Sequence, residues 1–213
     1  MAILEERVRD YLHDLRPERA EVMAEMEAVA DRDSVPIVHW ETGRFLATLA
    51  RALDPVVLEV GTAIGYSTLH LAEPLSAGRV VTLEIDPERA RQARDFWDRA
   101  GVADRIELIE GDARESIQGL SGPFGMLFVD AAKGEYSEYI KLAEPLLADD
   151  AVLVIDNLLV DGEVALPDGS ETTRSAESIA AAREINGELL VSESWLGSIL
   201  PIGDGIGFAA RRR

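Results

Sequence analysis

Val56-Val57-Leu58-Glu59-Val60-Gly61-Thr62-Ala63-Ile64-Gly65-Tyr66-Ser67 is the stretch on which the fold turns. It opens as a short run, apolar except for Glu59, breaks at Gly61 and enters a new element at Gly65. A nearly continuous apolar run of this length suits a strand buried on both faces. Gly61 lets the backbone turn tightly and approach a ligand. Gly65 opens a helix whose free N–H groups favour a carboxylate or phosphate. A glycine turn with no ligand has the same local sequence, so the flanking chain has to decide.

Toward the C-terminus the alternation repeats. Val80-Val81-Thr82-Leu83, Ile106-Glu107-Leu108-Ile109, Met126-Leu127-Phe128-Val129 and Val152-Leu153-Val154-Ile155 are further short apolar runs. Amphipathic stretches such as Pro87 to Ala100 and Tyr136 to Leu147 separate them. Strands alternating with helices predict an α/β fold, a parallel sheet covered on both faces. Beyond these units, Asp161 to Arg174 reads as a long loop and Ala180 to Leu190 as a helix. Trp195 to Ala210 reads as two strands about a turn at Gly203-Asp204-Gly205. Toward the N-terminus the pattern is helical. Ile3, Leu4, Val8, Tyr11, Leu12 and Leu15 form one stripe. Pro17 opens a second helix with Val22, Met23, Met26 and Val29, and Phe45, Leu46, Leu49 and Leu53 mark a third. The expected organisation is one domain over 1–213, with a helical cap at 1–53 and the α/β core at 54–213.

Ligands of such sheets bind at the carboxyl ends of the strands. Glu84, at the end of the second strand and about twenty residues after the glycine turn, can accept hydrogen bonds from both hydroxyls of a ribose. Asp86 precedes Pro87 and reads as a helix cap; Glu84 has no capping role. The turn and Glu84 together predict an adenosine-type ligand. Asp112 is placed to read an adenine amino group or to cap the next helix, and the two roles are compatible. Asp130 follows the fourth strand; Asp156 and Asn157 follow the fifth. If these strands are neighbours, two carboxylates and an amide oxygen converge. Three oxygens with open positions suit magnesium, although each aspartate alone suits a cap or turn. Lys133 lies three residues past Asp130 in a chain with 19 Arg and only two Lys. Lysine can surrender its proton and arginine effectively cannot. The histidines, His13, His39 and His70, form no ligand pattern. His70 reads as a packed helix residue. His39, within Ile37-Val38-His39-Trp40, belongs to a stretch able to fold over a cofactor and shape the site.

Composition removes whole classes of chemistry. The chain has 213 residues and no cysteine, which excludes disulfides, zinc–thiolate sites and cysteine nucleophiles. A net charge of −19 disfavours a broad nucleic-acid surface, though not a local basic patch. Acidic residues early in the chain, with no apolar core around them, do not make a signal peptide, and no apolar run reaches the length of a membrane span. The expectation is a soluble, cytoplasmic protein with no membrane partner.

Leu58 to Thr68, Phe128-Val129-Asp130-Ala131-Ala132-Lys133, Ile155-Asp156-Asn157 and Leu200-Pro201-Ile202-Gly203-Asp204-Gly205 closely resemble the metal-dependent catechol and caffeoyl-CoA O-methyltransferase family, in its bacterial branch. The likeness runs from about Val35 to Phe208. It implies a Rossmann-like methyltransferase fold with a seven-stranded, mostly parallel sheet, helices on both faces and N-terminal helices. It implies S-adenosylmethionine and magnesium or another divalent cation as cofactors, and a homodimer. Residue by residue, it implies that Glu59, Gly61 and Ser67 hold the methionine part of the cofactor. Val38 contributes backbone contact to the carboxylate, Glu84 takes the ribose, and Asp112 and Ala113 border the adenine. Asp130, Asp156 and Asn157 bind the metal, with Asp130 also at the cofactor, and Lys133 is the general base. The implied acceptor is a catechol-like small phenol. A tRNA 5-hydroxyuridine is the alternative, since the bacterial branch includes such enzymes. A nicotinamide-dependent dehydrogenase also uses a glycine turn and an acidic ribose ligand. It leaves Asp130, Asp156 and Asn157 unexplained, and the turn lacks Gly-x-Gly-x-x-Gly spacing. A non-catalytic S-adenosylmethionine sensor would not need the metal and base residues.

Overall fold

The period-two side-chain alternation of the five apolar runs distributes their residues between two cores. In the computed structural model, which describes residues 5–212, Val57, Val80, Met126, Phe128, Val152 and Val154 face one side of a single sheet. Leu58, Val60, Val81, Leu83, Leu127, Val129, Leu153 and Ile155 face the other. The strands are β1 (Val56–Val60), β2 (Arg79–Glu84), β3 (Ile106–Glu110), β4 (Phe124–Val129), β5 (Leu147–Ile155), β6 (Trp195–Leu200) and β7 (Ile206–Arg211). Their order across the sheet is β3-β2-β1-β4-β5-β7-β6. The first five run parallel, and β7 runs antiparallel to both β5 and β6. This is the expected seven-stranded, mostly parallel sheet.

The helices are α1 (Glu6–Asp14), α2 (Glu21–Asp33), α3 (Trp40–Leu53), α4 (Tyr66–Ala72), α5 (Pro87–Ala100), α6 (Ala113–Gln118), α7 (Tyr136–Ala143) and α8 (Ala176–Val191). Residues of α2 to α5 join the first core, and residues of α6, α7 and α8 join the second. α5 spans its predicted residues because both ends are signalled. Asp86 accepts from the N–H groups of Glu88 and Arg89, and Gly101 takes the left-handed conformation at the other end.

Several local expectations are corrected. Pro17 does not open the second helix, which begins at Glu21. The residue before a proline prefers extended backbone. Here Arg16 bonds Glu41 at 2.6 Å and Arg19 bonds Glu27, and residues 16–20 form no regular element. α1 is a helix as expected, but none of its residues is buried, and Val8 and Tyr11 lie open. Ile3 and Leu4 fall outside the described residues. The helix expected over Tyr136 to Leu147 stops at Ala143, and Glu144–Leu146 forms a 3-10 turn. Pro145 has no N–H to continue the helix. β5 accordingly starts at Leu147, well before Val152. α8 starts at Ala176, four residues earlier than read, because Ser175 caps it by accepting from Ser178 N–H at 3.1 Å. Among the described residues, no helix is long and apolar enough to cross a membrane.

Candidate active site

Strand register lines up the predicted site residues. Leu83 pairs with Val60, Val60 with Val129, and Val129 with Ile155. The next residue on each strand is therefore Glu84, Gly61, Asp130 or Asp156, in one row across four neighbouring strands. The ladder continues one step beyond the strands. Gly61 N–H donates to Leu83 O, Asp130 N–H to Val60 O and Asp156 N–H to Val129 O. Neighbouring strands lie about 4.8 Å apart, so Asp130 and Asp156 are brought side by side by backbone alone.

A cavity of about 520 Å³ opens along this row. Val38, Gly61, Ser67, Glu84, Asp112, Ala113, Asp130, Lys133 and Asn157 all line it. Gly61 has a steric reason as well as a positive φ of 100°. A Cβ at this position would sit 2.1 Å from the carbonyl oxygen of Asp130. Ile37 and Val38 form part of the cavity wall, as their stretch was expected to do. His39 lies outside that wall, against the turn at Gly203, where an added Cβ would come within 3.1 Å of its own Cβ.

Two expected residues stand behind the wall. Glu59 is fully buried, and its two oxygens accept from Ser67 Oγ at 2.6 Å and Thr68 Oγ1 at 2.5 Å. Burial pushes its carboxyl up to about 7 against those hydrogen bonds. Its contact with the cavity runs through Ser67. Asp156 is also fully buried. Its Oδ1 accepts from Asn157 N–H at 2.7 Å, and its Oδ2 has no hydrogen-bond partner. Burial raises the Asp156 carboxyl well above its ordinary value, and Asp130 adds to this. Asp130, open only partly and toward the cavity, is raised by its loss of water, while Lys133 and His39 oppose the shift.

Glu84 is held in place by two backbone N–H groups. One oxygen accepts from Ala63 N–H at 2.7 Å and the other from Asp86 N–H at 2.9 Å. Asp112 does cap α6, accepting from Arg114 N–H at 2.9 Å, and it still faces the cavity. Sequence reasoning missed Arg114, Glu135 and Tyr139, which also line the cavity. Their connection crosses from α6 to the start of α7, and no local spacing announces it. Lys133 sits in a 3-10 turn, Lys133–Glu135, immediately before α7.

A family model described as O-methyltransferase matches residues 13–212. The chain belongs to the O-methyltransferase family. It is 39% identical over 163 residues to the catechol O-methyltransferase of Mycobacterium tuberculosis, covering 74% of this chain and 72% of that one. Among solved structures, it resembles the O-methyltransferase of tomaymycin synthesis from Streptomyces achromogenes, in complex with S-adenosylmethionine. That likeness has a TM-score of 0.84 and 28% identity, over 99% of this chain and 100% of that one. The Bacillus cereus O-methyltransferase, in complex with S-adenosylhomocysteine, is matched with a TM-score of 0.83 and 29% identity over 97% of each chain. The enzyme is an S-adenosylmethionine-dependent O-methyltransferase of the catechol and caffeoyl-CoA type. The dehydrogenase and sensor readings therefore fall away.

Proposed function

We propose that the enzyme methylates one of two adjacent hydroxyls on a small, catechol-like phenol, with magnesium or a similar divalent cation held by Asp130, Asp156 and Asn157. The observation that carries this reading is the unpartnered Oδ2 of Asp156, buried beside a second carboxylate. A buried, unsatisfied carboxylate oxygen costs stability unless something positive meets it. Among the described residues no three His, Asp or Glu side chains converge as a metal-holding group. The donor set is instead two carboxylates and the amide of Asn157, hard oxygen donors that suit magnesium. When bound, such a cation lowers the pKa of an acceptor hydroxyl and fixes its direction.

The chain's own residues supply the rest. In this reading Val38, Gly61 and Ser67 hold the methionine part of S-adenosylmethionine, with Glu59 fixing Ser67 from behind. Glu84 takes the ribose hydroxyls, Asp112 and Ala113 border the adenine, and Asp130 lies between cofactor and cation. Lys133, with a neutral Nζ, would take the proton leaving the acceptor hydroxyl; the acceptor oxygen would then receive the methyl as its bond to the sulfonium sulfur breaks, the electron pair staying on sulfur and S-adenosylhomocysteine leaving. Holding the reacting atoms at attack distance can lower the barrier by roughly 7–11 kcal/mol.

Incubation with S-adenosylmethionine and a panel of catechols, with magnesium or with EDTA, tests this by mass spectrometry. A gained methyl that EDTA abolishes supports both halves. Methylation indifferent to EDTA removes the cation. No product on any catechol, with cofactor still bound, removes the acceptor class and moves the search to modified tRNA. Lys133→Arg should lower turnover by about 100-fold or more while S-adenosylhomocysteine still binds. Wild-type turnover in that variant would exclude Lys133 as the base.

A further inference from the structure

Arg114 is the residue of the cavity wall whose side chain is most fully committed to other side chains. Its Nε donates to Asp112 Oδ1 at 3.1 Å and its Nη2 to Asp112 Oδ2 at 2.6 Å, the two-pronged geometry of a guanidinium on a carboxylate. Its Nη1 lies 3.2 Å from Glu135 Oε1. Glu135 in turn accepts from the hydroxyl of Tyr139, which is buried. The four residues form a continuous chain from the start of α6 to α7, and all four line the cavity.

The chain's effect on Asp112 follows from counting lone pairs. An ionised carboxylate offers about four acceptor sites. Oδ1 takes two donors, Arg114 N–H and Nε, and Oδ2 takes one, Nη2. One site remains, on Oδ2. Arg114 also holds the Asp112 carboxyl down to about 2, so it is an acceptor at any working pH. A single fixed acceptor selects for a donor. Adenine carries an amino group at its six position, which donates; hypoxanthine carries a carbonyl oxygen there, which would face the carboxylate unfavourably.

We propose that Arg114 is a positioning residue that aims Asp112 Oδ2 at the amino group of the cofactor's adenine and so makes the enzyme select adenosyl over inosyl ligands. This rests on the cofactor placement proposed above, in which Asp112 borders the adenine. Glu135 and Tyr139 hold the guanidinium from its far side.

Calorimetric binding of S-adenosylhomocysteine and S-inosylhomocysteine to the full-length protein tests this without acceptor or metal. A hydrogen bond to a charged group supports a wild-type preference for the adenosyl ligand of about tenfold or more. Arg114→Ala and Asp112→Ala should each reduce that preference to within about threefold, with affinity for the inosyl ligand little changed, because the lost contact belongs to the amino group alone. Arg114→Lys should also lose the preference, since a point charge cannot fix both carboxylate oxygens. An Arg114→Ala protein that weakens both ligands in parallel, or keeps the wild-type preference, overturns the proposal, as does a fully selective Arg114→Lys. A wild type that binds both ligands equally overturns it too and moves the adenine away from Asp112. Catechol methylation is a separate measurement and can succeed or fail independently of each of these results.

Discussion

On the proposed reading, Asp156 trades stability for a cation site. A buried carboxylate with one unsatisfied oxygen, beside Asp130, weakens the metal-free fold. Asp156→Asn keeps the shape and removes the charge. We expect it to melt higher than wild type in EDTA, by a few degrees, corresponding to about 1–2 kcal/mol. Magnesium should raise the melting temperature of wild type and leave the variant unmoved. A variant that still gains stability from magnesium would take Asp156 out of the ligand set. Two further buried groups oppose one another. Burial lowers His70 to about 4 from an ordinary 6.5, and Glu59 is raised to about 7 from 4.5. Between about pH 6.5 and 4 the unfolded histidine takes up a proton that the folded one refuses, so His70 costs stability as pH falls. Between about 7 and 4.5 the folded Glu59 keeps a proton that the unfolded one releases, so Glu59 adds stability as pH falls. Each of these differences corresponds to about 3 kcal/mol at full extent. The two nearly cancel in wild type. Glu59→Gln should expose the histidine half and lose stability relative to wild type as pH goes from 7 to 5; a parallel pH profile would show that Glu59 is ionised in the fold.

At the scale of elements, legibility followed the range of the forces involved. The five parallel strands and α5 were readable because the period of their side chains and their caps are local. The row Glu84, Gly61, Asp130 and Asp156 was also readable, since a parallel sheet aligns strand ends and each residue follows its own strand. Pro17 misled because its neighbours Arg16 and Arg19 are bound by Glu41 and Glu27 beyond the segment, Glu41 lying 25 residues from Arg16. The 161–174 loop was legible only as a loop. In the structure Glu163 closes it, accepting from Thr173 N–H at 2.8 Å, Thr173 Oγ1 at 2.7 Å and Arg174 N–H at 3.1 Å. Leu158 and Leu159 N–H groups also fasten the segment after Asn157 to the β6–β7 turn. Ten residues separate Glu163 from Thr173, too far for a periodic signal. Because this loop follows Asn157 directly, Glu163→Ala should open it without unfolding the sheet. Limited proteolysis should then cut within 161–174 faster than in wild type, while cofactor affinity holds. If the acceptor rests on this loop, its KM rises more than kcat falls. Unchanged proteolysis would show that the remaining ties, Arg183 to the Val164 and Leu166 carbonyls and Arg174 to Asp161, hold the loop without Glu163.

The whole molecule carries 40 acidic and 21 basic residues, a net charge of −19, on one compact sheet. Two opposing electrostatic effects decide its response to salt. Ion pairs lose strength when screened, and the collective repulsion of the excess carboxylates loses strength as well. Many of the pairs join close neighbours, such as Arg91 with Glu88, Arg32 with Asp33 and Arg7 with Glu5. Such pairs lie on the surface, where each contributes about 0–1 kcal/mol, and neighbours in sequence remain near each other after unfolding. Screening them changes the balance between folded and unfolded chain very little. The repulsion differs strongly between the two states, because folding draws the charges together. Pairs between more distant residues, such as Arg16–Glu41, Arg99–Glu25, Arg94–Glu110 and Arg114–Glu135, pull the other way but are outnumbered by the excess of carboxylates. The melting temperature should therefore rise as potassium chloride goes from about 20 mM to 0.3 M, where the screening length shortens to several ångströms. EDTA in every sample keeps the cation binding proposed at Asp130 and Asp156 out of the comparison. A melting temperature that falls with salt would mean that ties such as Arg16–Glu41 and Arg99–Glu25 outweigh the repulsion, and that α2 is held to α5, and the segment before it to α3, more by charge than by Met23, Met26 and Leu46 in the core.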